Sequence, residues 1–439
     1  MNNFLLKLRQ EPALTFLFGI MVPITIFLVM QLFNDPEIFF ATLMRSLGMG
    51  STYAIVALGF VLIFKATQTV NFAQGALAVS GALFLSFAVA DDHIPFTTID
   101  NPINSLPGPD WFHWGVSLVL AMVFAAILGL VIERLTIRPM VGQPLFSVAV
   151  ITLGLEIALR VFNNDTVKVE FRNVEVPWGI DGFQVGKETI NYSIIAAMVT
   201  AAIAFVAVFI FYRSRLGIAM RAVAFDQEAA MAQGINVGRV FAIAWAAGAV
   251  LAMIGGVFAT QPPVKQSLAV DNETANIAFR ALPAVILGGL DSATGALLGG
   301  LIVGAAEIFA GQYAAGETDI LGAGYPVIVP YVVMMIGLLI RPYGLFGTPE
   351  IRRVRGGTDS CTSGPISTPP TNPRPRSCRP GRRRRSWPSS SSSSSCCRSR
   401  SPFSTTTSPG SAGYHSSATV SRCSASSAMA SGSAPPQRC

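Results

Sequence analysis

Long apolar runs, each close to the length of one membrane crossing, recur along the first three quarters of the chain. A helix of roughly 20 apolar residues spans the hydrocarbon core of a bilayer. By that measure the pattern predicts ten membrane or partial-membrane helices. They lie at residues 14–33, 46–64, 70–90, 113–133, 145–162, 193–212, 240–260, 276–290, 295–311 and 324–341. The predicted fold class is an all-α integral membrane protein, with residues 1–350 as its transmembrane domain.

Charged residues distinguish the two sides of the membrane. If the N-terminus is cytoplasmic, the outside loop from Asp91 to Phe112 has four acids and no Lys or Arg, whereas the inside connections are basic. Their basic residues are Lys65, Arg134, Arg138, Arg213, Arg215, Arg221 and Arg239. Because cytoplasmic loops are enriched in Lys and Arg, the sequence predicts a multi-pass protein whose N-terminus and last span both end in the cytoplasm.

The stretch from Ile277 to Ala310 is long enough for one span or for two. One span would place the arginines that follow residue 340 outside, whereas two spans broken at GGLDSATG return them to the inside. We therefore predict two helices. The first contains Arg280 and Pro283, so we expect a partial helix buried against protein, because lipid cannot satisfy its polar ends.

The outside segment from Asn163 to Tyr192 has a different pattern. Val167, Val169 and Phe171 alternate with charged residues, and this period of two is typical of a β-strand. The sequence predicts a small hairpin here. It is either a loop that caps itself or a platform on which an extracytoplasmic partner docks.

Residues 351–439 differ in composition from the rest of the chain. From Gly356 onward, eleven Arg stand against one acid, so the excess behind the net charge of +7 lies in this tail. All six Cys lie there too, which leaves the membrane domain without thiol chemistry. Few apolar residues predict a disordered tail. Its Ser, Arg and Pro bias is typical of an out-of-frame translation, so a frameshift near Arg355 is one hypothesis, and a basic arm is the other.

The membrane domain has no pattern typical of catalysis or metal binding. The three histidines, His93, His113 and His415, do not cluster, and no GxxxxGK[ST] phosphate-binding loop is present. A composition of 51% hydrophobic and 13% charged residues excludes an ordinary soluble domain. We therefore expect no catalytic residue, no metal site and no cofactor in this chain.

One polar island, AFDQEAAMAQGINV, interrupts the apolar pattern on the predicted cytoplasmic side. Asp226 is a predicted N-cap, Glu228 lies in the first turn, and Gly234 suits a left-handed stop. Between them, Ala229 and Ala230 favour helix. The sequence predicts one short helix, which would be marginal alone. It is either a connector on the surface or a helix that packs on a partner.

Two groups of polar side chains lie in predicted spans. Asn71, Gln74 and Gly75 begin the third span, where the amides either line a path for a zwitterion or bond to a neighbouring helix and cap a broken one. Glu156 and Arg160 have the spacing of an ion pair along one helix. Charge within a membrane marks function by default, but a position near the outer face favours a structural pair.

Three stretches resemble one family. Arg213–Ala259 is similar to the cytoplasmic loop and following span of ABC importer permeases, with EAA at 228–230 and Gly234 in the EAA-x3-G arrangement that docks on the ATPase. Gly59–Phe84, and Ala281–Glu307 together with Gly337–Gly347, are similar to regions of the H-type permease of branched-chain amino-acid importers. Gln74 stands where that family usually has His.

The resemblance implies a permease subunit of an ATP-driven importer of leucine, isoleucine or valine in the bacterial cytoplasmic membrane. Its expected partners are a second, M-type permease, two cytoplasmic ATPases, an extracytoplasmic substrate-binding protein and membrane lipid, with no nucleic acid. ATP and Mg would bind to the partner ATPases. Two alternatives stay open: a urea or short-amide permease, and an ion-coupled secondary transporter, for which Glu156 is the best intramembrane acid.

Overall fold

The computed structural model describes residues 25–90, 109–140, 145–167, 172–186, 188–265, 267–313 and 324–347. The predicted span residues 14–24, the strand residues 168–171 and the tail at 351–439 lie outside these ranges.

Helices make up most of the described chain, which confirms the all-α prediction. They are α1 (Thr25–Asn34), α2 (Pro36–Thr67), α3 (Gln74–Ala90), α4 (Asp110–Ile132), α5 (Leu145–Val167), α6 (Tyr192–Arg213), α7 (Arg215–Phe225), α8 (Gln227–Ala232), α9 (Val237–Ala259), α10 (Ile277–Gly288), α11 (Ala293–Tyr313) and α12 (Tyr325–Ile340). Within the described ranges, six are long and apolar enough to cross a membrane: α2, α4 with its continuation to Met140, α5, α6, α9 and α11.

The predicted spans from 46–64 onward each overlap one of these helices. The largest difference is at α2, which begins at Pro36 and not near residue 46. Arg45 interrupts the apolar run, but its guanidinium pairs with the Glu188 carboxylate at 2.6 Å. Because the charge has a partner, it does not end the helix.

Helix α2 lies at the centre of the fold and packs against α6, α9, α10 and α11. Small residues set its contact with α11. A Cβ added at Gly50 would lie 2.7 Å from the Leu301 Cα, and one at Gly300 would lie 2.7 Å from the Ala54 backbone nitrogen. Glycines and alanines thus allow the two backbones to approach closely, as is common between membrane helices.

The break between α10 and α11 confirms the prediction of two helices with a buried partial helix first. Gly289 ends α10 with φ of 104°. The segment after α12, residues 341–347, returns to this break, where the Leu345 amide donates to the Leu287 carbonyl at 2.7 Å and the Phe346 amide donates to the Gly288 carbonyl at 3.0 Å. We call it the closing segment. It satisfies carbonyls that the end of a helix leaves open.

Two short antiparallel ladders lie between the helices. β1 (Arg172–Asn173) pairs with β4 (Ala269–Val270), and β2 (Gly182–Val185) pairs with β3 (Glu188–Asn191) as the hairpin. The hairpin predicted within 163–192 is confirmed by β2 and β3, but the placement of Val167 in a strand is wrong. Val167 is the last residue of α5.

Candidate functional site

The predicted short helix is α8, and residues at its own ends cap it. The Asp226 side chain accepts a hydrogen bond from the Ala229 amide at 3.0 Å, which confirms the predicted N-cap. Glu228 lies in the first turn, where a carboxylate interacts favourably with the helix dipole. The helix spans six residues only, because Ala224 and Phe225 belong to α7.

A Schellman turn ends α8. The Gly234 amide donates to the Met231 carbonyl at 2.9 Å, and the Ile235 amide donates to the Ala230 carbonyl at 3.0 Å. Gly234 has φ of 81°, the left-handed conformation predicted for it. Since Asn236 then caps α9 by accepting from the Arg239 amide at 3.0 Å, residues 226–239 form a fixed elbow.

The elbow has a buried side and an exposed side. Ala230 is buried and packs with the core, and Ile235 is partly buried against it. On the exposed side, Met231 is 53% exposed and Glu228 is also exposed, and Phe225, the last residue of α7, is 79% exposed next to them in the sequence. The elbow and the end of α7 therefore present two large apolar side chains and an acid away from the core.

The ends of several helices meet close to the start of α7. The Lys65 Nζ at the end of α2 donates to the Asp291 carbonyl at 2.9 Å and lies 4.5 Å from the centre of the Tyr212 ring. Tyr212 lies at the end of α6, and Asp291 lies in the break between α10 and α11. Lys65 and Arg213, two residues predicted to share one side of the membrane, thus lie at one end of the bundle.

The amides of the predicted path are buried and bonded to protein. Asn71, in the turn before α3, donates from Nδ2 to the Gln74 Oε1 at 3.0 Å and accepts from the Ala73 amide at 3.0 Å. The Gln74 Nε2 donates to the Gly248 carbonyl in α9 at 3.2 Å. Gly75 packs directly on the Ala275 carbonyl. This arrangement is that of the packing alternative, and a role in the path stays a prediction.

The Glu156 and Arg160 side chains form the predicted ion pair at 2.9 Å. The pair also organises the start of α3, because the Glu156 Oε2 accepts from the Ala76 amide at 2.9 Å. The first amides of a helix lack partners within the helix, and a carboxylate there is favoured by the dipole. This contact is consistent with the structural role.

Sequence reasoning missed one buried polar cluster. The Tyr53 hydroxyl in α2 donates to the Glu307 Oε2 in α11 at 2.5 Å, and the Glu307 Oε1 lies 3.3 Å from the Arg280 Nη2 in α10. The available signal was the single acid in the apolar run GLIVGAAEIFAG. Three different helices contribute, so no local spacing connects the residues.

Two cavities meet at Arg280. One, of about 490 Å³, is lined by Arg45, Glu307 and residues of β3, and the other, of about 450 Å³, is lined by Glu273, Asn276 and residues of α12. Asn71 and Gln74 are absent from the described lining of both. Among the described residues, no three His, Cys, Asp or Glu side chains lie close enough to hold a metal ion.

Comparison with known sequences gives consistent matches. The family described as branched-chain amino acid transport system / permease component matches residues 42–340. The high-affinity branched-chain amino acid transport system permease protein LivH of Escherichia coli K12 is 30% identical over 325 residues, which cover 72% of this chain and 98% of that protein. The corresponding BraD of Pseudomonas aeruginosa is 29% identical, covering 73% of this chain and all of that protein. LivH of Methanocaldococcus jannaschii, described as a probable permease, is 26% identical, covering 67% and 88%.

Proposed function

This chain belongs to the family of branched-chain amino acid transport permease components, and we propose from that premise that it carries leucine, isoleucine or valine across the bacterial cytoplasmic membrane. It is a membrane-spanning permease subunit of an importer, not an enzyme. In the proposed complex, it pairs with a second permease, and two ATPases supply energy. A separate binding protein delivers the amino acid. Nucleotide and Mg belong to the ATPases.

The observation that carries the proposal is the elbow of residues 226–239. Its exposed Met231 and the adjoining Phe225 of α7 offer apolar anchors to a groove, and Glu228 offers a charge between them. An amphipathic helix that lays such anchors into a partner's groove is a common mode of recognition. We assign this exposed side to the partner ATPase.

The elbow is also suited to transmit displacement. It runs from the cap at Asp226 to the start of α9, which packs on α2, α3 and α4. A displacement of α8 is therefore transmitted directly to α9, because a capped turn and not a flexible loop joins the two helices. Closure of the ATPase pair would tilt α9 against α2, and this rocking would open the permease to alternate sides.

The proposed orientation places the elbow and Lys65 in the cytoplasm, with the N-terminus and the end of α12. The hairpin and Arg45, at the opposite end of α2, then face outward. This orientation follows the distribution of Lys and Arg. Two-sided labelling of an introduced cysteine at Gln233 and at Gln184, after replacement of the six tail cysteines, tests it directly, and external labelling at Gln233 contradicts it.

The coupling role is tested by Glu228→Lys and Gly234→Pro. Both variants are expected to insert normally, to lose ATP-driven uptake of L-leucine and to lose the ATPase on purification. Charge reversal disrupts the exposed side, and proline cannot adopt the left-handed conformation at Gly234.

Two variants at the other end of the molecule serve as controls. Glu175→Lys reverses an exposed acid, and Gly179→Pro alters another left-handed glycine, with φ of 52°. Both are expected to keep the ATPase. Normal uptake by Glu228→Lys and Gly234→Pro, or uptake driven by a proton gradient without ATP, contradicts the proposed function.

A further inference from the structure

The cavity of about 450 Å³ beside α10 has two chemically different walls. Arg280, Glu273 and Asn276 supply charge and hydrogen-bonding groups, while Val264, Ile277 and Val327 supply an apolar surface. We call it the Arg280 cavity. Its volume lies in the range of small-molecule sites, which combine a mainly apolar lining with a few convergent polar groups.

The Arg280 guanidinium has few partners among the described residues. A guanidinium has five N–H donors. Among the described residues, its one ion pair is the 3.3 Å contact with Glu307, and none of them accepts a hydrogen bond from it. Its side chain is 25% exposed. Arg280 lines the Arg280 cavity as well as the neighbouring one, and a guanidinium has the planar geometry that binds a carboxylate through two hydrogen bonds.

Two other positively charged side chains near Arg280 already have protein partners. Lys265 pairs with the Asp271 carboxylate and donates to the Thr274 hydroxyl at 3.2 Å. Arg45, in the neighbouring cavity, pairs with Glu188 and also donates to the Thr189 carbonyl. Lys265 and Arg45 thus each make a hydrogen bond beyond their carboxylate partner, whereas Arg280 makes none with the described residues.

The Arg280 cavity also has an acceptor for a cation. Among its described lining residues, Glu273 supplies the carboxylate. Its Oε2 accepts from the Asn276 Nδ2 at 2.5 Å, and its side chain is exposed. A positively charged group, Arg280, and a negatively charged group, Glu273, thus line one cavity with an apolar wall. A ligand that would contact both charges and the apolar wall is a zwitterionic α-amino acid with an aliphatic side chain.

We propose that the Arg280 cavity is a binding site for the transported amino acid within the permease. Arg280 binds the α-carboxylate, Glu273 binds the ammonium group, and Val264, Ile277 and Val327 contact the aliphatic side chain. Glu307 holds Arg280 in position from α11. This inference rests on the proposed function, and it requires a zwitterion rather than urea or a simple amide.

Chemical protection of Arg280 tests this site without a substitution. Membrane vesicles that contain the assembled transporter are treated with phenylglyoxal, and modification of Arg280 and Arg45 is followed by mass spectrometry. Saturating L-leucine is expected to slow modification of Arg280 on the order of fivefold and to leave Arg45 unchanged. L-leucinamide, which lacks the carboxylate, and urea are expected to protect neither arginine. Equal labelling of Arg280 with and without L-leucine, or equal protection by L-leucinamide, overturns the inference.

Conservative variants separate this inference from the proposed function. Arg280→Lys keeps the positive charge but loses the planar guanidinium that can donate two hydrogen bonds to a carboxylate. Glu273→Gln removes the carboxylate proposed to bind the ammonium group. Each is expected to lower the maximal rate of ATP-driven L-leucine uptake roughly tenfold, while the ATPase still co-purifies. Arg45→Lys, the control in the neighbouring cavity, is expected to transport normally. Unchanged uptake by Arg280→Lys overturns the site and leaves the proposed function standing, whereas L-leucine uptake by the unmodified chain without ATP overturns the proposed function and with it the inference that rests on it.

Discussion

The elbow at residues 226–239 and the Tyr53, Glu307 and Arg280 cluster are built in opposite ways. Every hydrogen bond that shapes the elbow joins residues at most five positions apart. In the cluster, the Tyr53 hydroxyl bonds to a residue 254 positions away. The elbow keeps apolar side chains exposed, while the cluster buries charge between three helices.

Under the proposed function, this difference separates the tasks of the two regions. The surface proposed to bind the ATPase is shaped locally, so we expect it to keep its form while the bundle around it moves. A polar group inside the membrane domain is expensive unless other helices supply partners. Its geometry therefore depends on how α2, α10 and α11 pack, and changes when they shift.

The largest expected effect separates the buried acid from the exposed one. Glu307→Ala removes the partner of both Tyr53 and Arg280 and is expected to destabilise the purified chain by about 4 kcal/mol. Glu228→Ala, on the exposed side of the elbow, is expected to change stability by less than about 0.5 kcal/mol. Thermal unfolding in detergent measures both. Similar losses of stability in the two variants would contradict the contrast between the regions. Glu307→Gln keeps an acceptor for the Tyr53 hydroxyl, so its loss of stability should lie between those of the other two variants.

Two glycines also differ between a packed region and the exposed elbow. Gly289 and Gly234 both have positive φ, but a Cβ at Gly289 would lie 2.6 Å from the Gly347 nitrogen, whereas one at Gly234 would meet open space. Gly289→Ala is expected to cost about 3 kcal/mol from strain and overlap together. Gly234→Ala is expected to cost about 1 kcal/mol from strain alone. Chemical denaturation compares them, and a greater cost at Gly234 contradicts this account of the break.

The N-cap of α8 should matter locally. Asp226→Ala removes the acceptor for the Ala229 amide and is expected to cost the helix about 1 kcal/mol. Faster amide exchange in residues 227–232, with unchanged exchange in α2, is the expected signature. Asp226→Asn keeps a capping oxygen and serves as the control. Faster exchange throughout the bundle would show that the elbow is not independent of it.

The smallest expected effect is dependent on pH. Burial alone would raise the pKa of Asp271, but hydrogen bonds from Lys265 and Thr274 outweigh it and hold the pKa below its ordinary value of 3.8. The folded-state pKa is lower than that of the unfolded chain. This stabilisation is therefore fully present above pH 3.8 and is lost as the pH falls from there through the folded-state pKa. Asp271→Asn is expected to cost about 0.5 kcal/mol at pH 7. The difference from the unmodified chain should shrink below pH 3.8, and a constant difference contradicts the assignment.

The sequence predicted what local pattern and length determine. Apolar runs located the helices, and the spacing of Asp226 and Gly234 predicted both ends of α8. The start of α2 was wrong because the partner of Arg45 is Glu188, far along the chain. The Arg280 cavity also went unpredicted. Glu273, Asn276 and Arg280 lie close together in the sequence, but the wall that encloses them includes Val327 of α12, which only packing brings to them.

The closing segment has a consequence for biogenesis. Helix α10 leaves the ribosome well before Leu345 and Phe346, whose amides bond to the Leu287 and Gly288 carbonyls. Until those residues are synthesised, the short helix enters the membrane with open carbonyls, which hydrocarbon does not satisfy. A nascent chain halted ahead of residue 345 therefore lacks the donors for the Leu287 and Gly288 carbonyls, so α10 is completed only by the last residues of the membrane domain.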